Sequence, residues 1–434
     1  MHRALTRALA TDIATGRLPS GARLPPQRDL AAALGVTVGT VARAYGEAAR
    51  RGLVHGEVGR GTFVTAPAGD EEVVDLALNA IPPHPFMADL TARLDPSARD
   101  GRAHLLDYPP RGGARAHREA AVAWLQRRGL LVACEQVVLT VGAQHAIVAA
   151  LATVAAPGER VLVESLTFGG MLAAARLLGL EPHPVGIDAE GIDPAALDHA
   201  CRATGARVLY LQPSLHNPTG ASASSARRAD VLAVVARHRL RVIEDDVYGF
   251  LVPERAPLCI DLKDGWCAVT SLSKSLAGGY RVGWLAVSPE LVSRALDVAW
   301  ATTLAAPPLT AAVAAAILAD GTADRIVTWK RAEMRERQAL ARGILPGVSA
   351  RVHPASPHLW LPLSRPWRAT AFIAAARARG VLLGPTEGFL GQPGAVPRAV
   401  RICLGPPRSR ERLASALEVL AALAGSMPSQ ATVV

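Results

Sequence analysis

The sequence predicts an α/β protein in which a small N-terminal winged helix-turn-helix precedes a body with a mostly parallel sheet and helices on both faces. From about residue 73 onward, apolar runs of strand length alternate with alanine-rich helical stretches, an order typical of parallel sheets. Residues 1–65 instead show short helical stretches separated by glycine and proline turns. The 434 residues, half of them hydrophobic, suffice for two or three packed domains.

Composition excludes several classes of protein. The five cysteines are scattered and never form a CxxC pair, which argues against disulfides and a zinc site and fits a reducing cytoplasm. The N-terminus has no apolar core of signal-peptide length. The apolar run TLAAPPLTAAVAAAILAD contains Pro307 and Pro308, ends at Asp320, and is too short to span a bilayer. We therefore expect a soluble, cytoplasmic protein without a metal site.

The positive charge is concentrated at the N-terminus. Residues 1–65 contain nine arginines and four acidic residues, so they carry +5 of the total net charge of +10. A basic module of this kind indicates a polyanionic partner. The alternative is that arginine is simply frequent on every surface, since only three of the 47 basic residues are lysines: Lys263, Lys274 and Lys330.

The N-terminal module contains the elements of a winged helix-turn-helix. Leu5, Leu9 and Ile13 recur at helical spacing, and this first helix is expected to end near Gly16. QRDLAAAL predicts a second short helix, GV a tight turn, and TVGTVARAYGEAARR a third helix with Thr37 as its N-cap. LVHGEVGRGTFV predicts two short strands around a glycine-rich tip, the wing. The helix after the turn can enter a major groove.

This segment resembles the winged helix of the GntR family of bacterial regulators. The resemblance rests on GRLPSGARLPPQRDLA, LGVT, TVARAY and GRGTFV, in this order and at the family's spacing. It implies binding of double-stranded DNA through arginine side chains and helix-terminal hydroxyls, which suit phosphate. The DNA contacts that it implies are Arg28, Thr37, Thr40, Arg43 and Arg60 in the wing.

The start of the third helix departs from the family pattern. Val38 stands where a polar or basic residue is usual, and Gly39 follows it without a side chain. Direct base recognition is then either weaker than in relatives or directed at thymine methyl groups, which apolar side chains contact.

Residues 66–73 are small, acidic and turn-prone, and they predict a short linker before the body at 74–434. The strand-like runs of the body are RVLVES, RVLYLQP, RVIEDDVY, CAVTS and RVGWLAV. Polar clusters follow three of these runs: PSLHNPTG, EDDVY and SLSK. Ligands of parallel sheets bind beyond the carboxyl ends of the strands, so these clusters are expected to meet in one site.

Lys274 in SLSK stands out because a lysine amine, unlike an arginine guanidinium, can lose its proton and attack a carbonyl. A pyridoxal phosphate site combines such an amine with a carboxylate at the ring nitrogen, donors to the phenolic oxygen, an anion site and an arginine for a substrate carboxylate. Each of these parts is present, in the order used by fold-type-I aminotransferases, and residues 74–425 resemble that family.

The resemblance assigns roles to individual residues and implies pyridoxal 5′-phosphate as the cofactor. Lys274 forms the Schiff base, Asp245 pairs with the ring nitrogen, Phe168 stacks on the ring, and Arg401 binds an α-carboxylate. Tyr248 and Asn217 bind the phenolic oxygen. The implied phosphate ligands are Ser271, Arg281, the amides of Gly142, Ala143 and Gln144, and Tyr108 from the other subunit of a homodimer. LALNAIPPHPF departs from the family pattern, and no site residue is predicted there.

A GntR-like module fused to such a body is the layout of the MocR subfamily of regulators. It implies a large subdomain at about 100–320 and a small subdomain at about 325–425 plus the N-terminal segment of the body. The implied function is a transcription regulator that senses a small amine or amino acid by aldimine exchange at Lys274. A homodimer would present two winged helices to paired DNA half-sites, in direct or inverted orientation.

Two other functions stay open at this point. The groups needed for transamination are all present, so the protein is either a regulator or an active aminotransferase with a fused DNA-binding module. A body that no longer binds cofactor is disfavoured because Lys274 and Asp245 are both retained.

Overall fold

The structure is a computed structural model of the chain. It describes residues 2–14, 18, 21–50, 53–57, 61–64, 73–84, 103–254, 256–345, 347 and 352–426. The chain forms two compact units, residues 1–73 and 74–434. All but the last residue of the predicted linker at 66–73 lies outside the described residues. No helix among the described residues is long and apolar enough to cross a membrane.

The N-terminal unit contains the predicted helices and wing strands. They are α1 (His2–Ala14), α2 (Gln27–Leu34), α3 (Val38–Arg50), β1 (Val54–Glu57) and β2 (Gly61–Val64). β1 and β2 pair antiparallel.

Local signals explain the turn between α2 and α3. Gly35 ends α2 with a φ of +62°, a conformation that favours glycine. The Thr37 hydroxyl then accepts a hydrogen bond from the amide of Thr40 at 3.3 Å, which confirms Thr37 as the N-cap of α3. Leu9, Val41 and Tyr45 belong to the core that fixes α3 against α1 and the wing.

The body is built on a seven-stranded sheet, whose strands lie in the order β4 (Val137–Thr140), β12 (Gly283–Val287), β11 (Trp266–Ser271), β10 (Arg241–Asp245), β9 (Val208–Leu211), β5 (Arg160–Glu164) and β6 (Glu181–Val185). Only β12 runs antiparallel to its neighbours, so the prediction of a mostly parallel sheet is confirmed.

Helices pack against this sheet and against a smaller core. They are α4 (Arg115–Gln126), α5 (Gly142–Val154), α6 (Gly169–Leu177), α7 (Pro194–Thr204), α8 (Ser225–His238), α9 (Leu272–Ser275), α10 (Val292–Thr303), α11 (Pro308–Ala319), α12 (Thr322–Ile344), α13 (Ala369–Arg377) and α14 (Arg410–Ala424). The remaining strands form three short pairs: β7 (Ile187–Asp188) with β8 (Gly191–Ile192), β3 (Val74–Asp75) with β14 (Val381–Leu382), and β13 (His358–Pro362) with β15 (Ala399–Cys403).

Helix α12 connects two hydrophobic cores of the body. Ile326 and Val327, in its first half, pack into the core that contains Trp124 and Trp284 beside the large sheet. Met334 and Ala341, in its second half, pack into the smaller core around β13 and β15. One rigid element of 23 residues therefore bridges the two parts of the body.

Candidate functional site

Most of the residues predicted to bind the cofactor meet at the carboxyl ends of the sheet strands. β10 and β11 are parallel neighbours, so Asp245 at the end of the first lies beside the turn that follows the second. They border a cavity of about 610 Å³, part of it open to solvent. The cavity is lined by Asn79, Ala143, Gln144, Phe168, Gln212, Asn217, Asp245, Val247, Tyr248, Ser271, Ser273, Lys274 and Arg281.

Lys274 lies in the short helix α9, directly after the central strand β11. Its Nζ donates a hydrogen bond to the carbonyl of Asn79 and lies 5.9 Å from the centre of the Tyr248 ring. Desolvation lowers the pKa of Lys274 to about 8, and the charge of Arg401 acts in the same direction. The side chain is partly exposed to the cavity, but protein surrounds the cavity closely enough to disfavour the ammonium. A lysine with this pKa is a better nucleophile at neutral pH than a surface lysine.

Asp245 is a buried carboxylate at the base of the cavity. Tyr210 donates a hydrogen bond to its Oδ2 at 2.7 Å, and Gln212 donates to the same oxygen at 2.8 Å. Burial raises its pKa to about 6, although these two hydrogen bonds act in the opposite direction. No arginine or lysine forms an ion pair with Asp245 among the described residues. A positively charged ring nitrogen in the cavity would supply that partner.

Tyr248 and Asn217 lie on the wall of the cavity next to Asp245. The Tyr248 hydroxyl accepts a hydrogen bond from Asn79 Nδ2 at 2.8 Å, and burial raises the Tyr248 pKa above its usual value. Asn217 Oδ1 accepts from Arg401 Nη1 at 2.8 Å, which leaves its amide nitrogen to donate to a ligand oxygen. Both side chains are therefore available as donors to a phenolic oxygen.

The start of α5 has the features of an anion site. Gly142 has a φ of +73°, and a Cβ at this position would lie 2.6 Å from Arg281 Nη2, so only glycine lets the guanidinium approach. Ala143, Gln144, Ser271 and Arg281 all line the cavity. Amides at a helix N-terminus beside an arginine and a hydroxyl suit a phosphate group.

Arg401 lies in β15, on the small core's side of the site, and is only 8% exposed. Besides its bond to Asn217, it donates from Nη2 to the carbonyl of Ala77 at 2.6 Å, and its guanidinium lies 4.8 Å from the centre of the Phe389 ring. Its buried Nε has no hydrogen-bond partner among the described residues. An unsatisfied buried donor on a positioned guanidinium suits a carboxylate ligand.

The structure also identifies site residues that the sequence pattern missed. Asn79 lies in the segment for which no site residue was predicted, yet it contacts Lys274, Tyr248 and His358. His358 is fully buried, its ring centre lies 5.7 Å from that of Tyr248, and desolvation lowers its pKa to about 3, so it is neutral.

Tyr108 does not line this cavity within one chain. It is 84% exposed and borders a separate hollow together with Leu106, Leu304 and Pro307. The expected role of Tyr108, a contact from the other subunit, stays a prediction.

The residues predicted to contact DNA belong to the N-terminal unit. Arg28, Thr37 and Arg43 are exposed, and Thr40 is partly exposed, with its hydroxyl 2.9 Å from that of Thr37. Arg60 lies outside the described residues.

The start of α3 offers little but small and apolar side chains. Val38 is 45% exposed, and a Cβ built on Gly39 meets no atom within 4 Å. The surface of α3 is therefore smooth at the position that departs from the family pattern.

The side chains in and around the cavity fit the chemistry of pyridoxal phosphate. It is lined by a nucleophilic amine at Lys274, an uncompensated carboxylate at Asp245, and Arg281, whose approach a Cβ at Gly142 would block. Next to the lining, the buried guanidinium of Arg401 contacts Asn217 and has a free donor. The chemistry of these groups fits an aldehyde, a ring nitrogen, a phosphate and a substrate carboxylate.

Comparisons with known proteins agree with both units. Residues 71–420 match the family described as aminotransferase class I and II, and residues 2–64 match bacterial regulatory proteins of the gntR family. The uncharacterized HTH-type transcriptional regulator YdeF of Bacillus subtilis (strain 168) is 29% identical, covering 97% of this chain and 93% of its own. The vitamin B6 salvage pathway transcriptional repressor PtsJ of Salmonella typhimurium is also 29% identical, covering 87% of this chain and 88% of its own.

A solved structure shows the fold of the body. LysN, an α-aminoadipate aminotransferase from Thermus thermophilus complexed with N-(5′-phosphopyridoxyl)-L-leucine, superposes with a TM-score of 0.74. The two chains are 24% identical, and the match covers 82% of this chain and 92% of LysN.

Proposed function

Because the chain belongs to the aminotransferase class I and II family and carries a gntR-family domain at its N-terminus, we propose that it is a pyridoxal-phosphate-dependent, DNA-binding transcription regulator. In this proposal the body senses a small amine or amino acid and thereby changes the DNA affinity of the winged helix. The gntR-type domain is a DNA-binding domain, and the body has the fold of a pyridoxal-phosphate-dependent family. Since bacterial promoters lie in the cytoplasm, the protein would act there.

One observation carries the proposal: Lys274 and Asp245 line a single cavity in a chain that also has a winged helix-turn-helix. When bound, pyridoxal phosphate supplies an aldehyde that reacts with primary amines and a ring that takes up electron density. Lys274 would hold it covalently, Asp245 would keep its ring nitrogen protonated, and Arg281 with the start of α5 would bind its phosphate. Phe168, on the cavity wall, would contact the face of the ring.

The ligand-binding step follows from Arg401. An amino acid that displaces Lys274 would place its carboxylate at the Arg401 guanidinium, whose Nε is free. β15 belongs to the small core, so this contact links the ligand to that core. The ligand can shift DNA affinity only as far as it binds two states of the body differently. We further propose a homodimer in which Tyr108 of each chain completes the partner's phosphate site.

A first experiment tests the cofactor. The purified protein should gain a visible absorbance band after incubation with pyridoxal phosphate, and Lys274→Ala should change that band. Lys263→Ala is the matched control, because Lys263 is an exposed lysine just before β11. A wild type without the band would refute the cofactor, and with it the sensing mechanism.

A second experiment tests regulation. We expect a footprint on the DNA upstream of the protein's own gene, and a panel of amino acids and amines should change it in the wild type. Lys274→Ala should still bind DNA but lose the response. If no DNA is bound and the panel yields keto acids instead, the protein is an active aminotransferase. The intact set of Lys274, Asp245 and Arg401 makes this the second candidate function.

A further inference from the structure

A second buried lysine lies beside the site. Lys330 occupies the middle of α12, is 1% exposed, and donates from Nζ to the carbonyl of Leu276. Leu276 follows Lys274 by two residues and ends the short helix α9. Lys330 therefore contacts the main chain of the turn that presents Lys274.

The next residue of α12 makes the corresponding contact on the neighbouring turn. Arg331 Nε donates to the carbonyl of Phe250 at 2.7 Å, and its Nη2 donates to the same oxygen. Phe250 follows Tyr248 by two residues, and its ring stacks on Trp124 at 4.2 Å. Two consecutive basic side chains thus donate to main-chain carbonyls two residues beyond Lys274 and Tyr248.

Lys330 is costly to bury, which argues against an incidental contact. No carboxylate compensates its charge among the described residues, and the groups that interact with it electrostatically are Lys274 and His84. Desolvation, with a smaller contribution from Lys274, lowers the pKa of Lys330 to about 7. An apolar residue of the same length would avoid this cost entirely.

We propose that Lys330 and Arg331 are positioning residues that connect the small core, through α12, to the turns carrying Lys274 and Tyr248. Because α12 packs into both cores, any shift of the small core relative to the sheet moves these two donors. The carbonyls of Leu276 and Phe250 would follow, and with them the Lys274 amine and the Tyr248 hydroxyl. Arg401 belongs to the strand pair of that small core, so carboxylate binding and the Lys274 turn become coupled through one helix.

The proposed positioning role rests on the proposed cofactor. The test is chosen so that a failure of the positioning role and a failure of the cofactor proposal give different results. Lys330→Met removes the donor and the charge at nearly constant length, and Lys263→Met makes the same change at an exposed lysine. The cofactor-loaded proteins are titrated from pH 6 to 10, following the visible absorbance and its circular dichroism. The midpoint of the titration reports the proton shared between Lys274 and the cofactor.

We expect Lys330→Met to shift the midpoint by about half a pH unit or more, because the turn that presents Lys274 loses the donor that holds it. Lys330 is mostly uncharged above pH 7, so the loss of a like charge contributes only at lower pH. It should also reduce the visible circular dichroism, because the turn is less firmly positioned. Lys263→Met should match the wild type in both. If Lys330→Met does not fold, Lys330→Leu carries the same test, because leucine also lacks the donor: the midpoint should shift and the visible circular dichroism should fall.

Two outcomes would overturn the inference. A folded Lys330 variant whose midpoint and circular dichroism equal those of Lys263→Met would show that Lys330 does not position the Lys274 turn, while the cofactor proposal would stand. A wild type that takes up no cofactor would remove both.

Discussion

Replacing Lys330 by methionine should stabilise the cofactor-free protein at neutral pH, although it removes a hydrogen bond. The side chain is 1% exposed, and burial holds its pKa at about 7, against the ordinary lysine value of 10.5. Between these two values the unfolded chain holds a proton that the folded chain does not. The free energy of unfolding therefore falls as the pH falls from 10.5 toward 7. Below pH 7 the full cost of deprotonating or burying the charged Lys330 is present.

The size of the effect follows from the pKa difference. Each pH unit in this window is worth about 1.4 kcal/mol, so the penalty at pH 7 is on the order of 4 kcal/mol. The lost bond to the Leu276 carbonyl costs about 1 kcal/mol. The free energy of unfolding of Lys330→Met should therefore exceed that of the wild type by on the order of 3 kcal/mol at pH 7, and this difference should fall to near zero at pH 10.

Urea unfolding followed by tryptophan fluorescence measures this difference directly. All seven tryptophans lie in the body, between residues 124 and 367, so the signal does not report on the winged helix. Wild type, Lys330→Met and Lys263→Met are compared at pH 7, 8.5 and 10 at one protein concentration. A difference between wild type and Lys330→Met that does not change with pH would refute the reasoning, and so would a variant less stable than wild type at pH 7.

Further predictions concern both units. Asp245→Asn should stabilise the cofactor-free body above pH 6, where the buried carboxylate is charged, and weaken cofactor binding about tenfold or more; unfolding and absorbance titrations measure the two effects. Arg401→Lys should weaken the binding of amino acids about tenfold or more relative to that of a simple amine, which lacks the carboxylate, and it should leave the cofactor absorbance band unchanged. Replacing single thymines of the footprinted site by uracil should weaken binding by the wild type at one position at least, and Val38→Ala should remove that sensitivity; equal binding throughout would exclude methyl recognition by Val38. Arg43→Ala should reduce the slope of log affinity against log salt by about 1 if it contacts a phosphate, and an unchanged slope would exclude that contact.

The sequence predicts those parts of the fold that depend on local signals. β9, β10 and β11 were recognisable because each is a short apolar run followed at once by polar residues. Lys274 and Asp245 belong to such clusters, and their proximity follows from the parallel pairing of β10 and β11. The helix-turn-helix was likewise signalled by Gly35 and Thr37 themselves.

Long-range contacts explain what the sequence did not predict. Asn79 becomes a site residue only because β3 pairs with β14, about 300 residues later, and brings the segment to the cavity. Tyr210 has the character of a core residue in an apolar strand, and only the structure shows its hydroxyl on Asp245. β6 was missed because Pro182 and Pro184 argue against a strand, but at the edge of the sheet their missing donors cost little.

The open surface at Gly39 bears on how such a protein could acquire new targets. A side chain added there would meet no neighbouring atom, and most residues favour a helix over glycine by up to about 1 kcal/mol. Mutation at this one codon could therefore change the preferred operator while the scaffold gains stability, so divergence of binding sites among duplicated copies would face no folding barrier at this position.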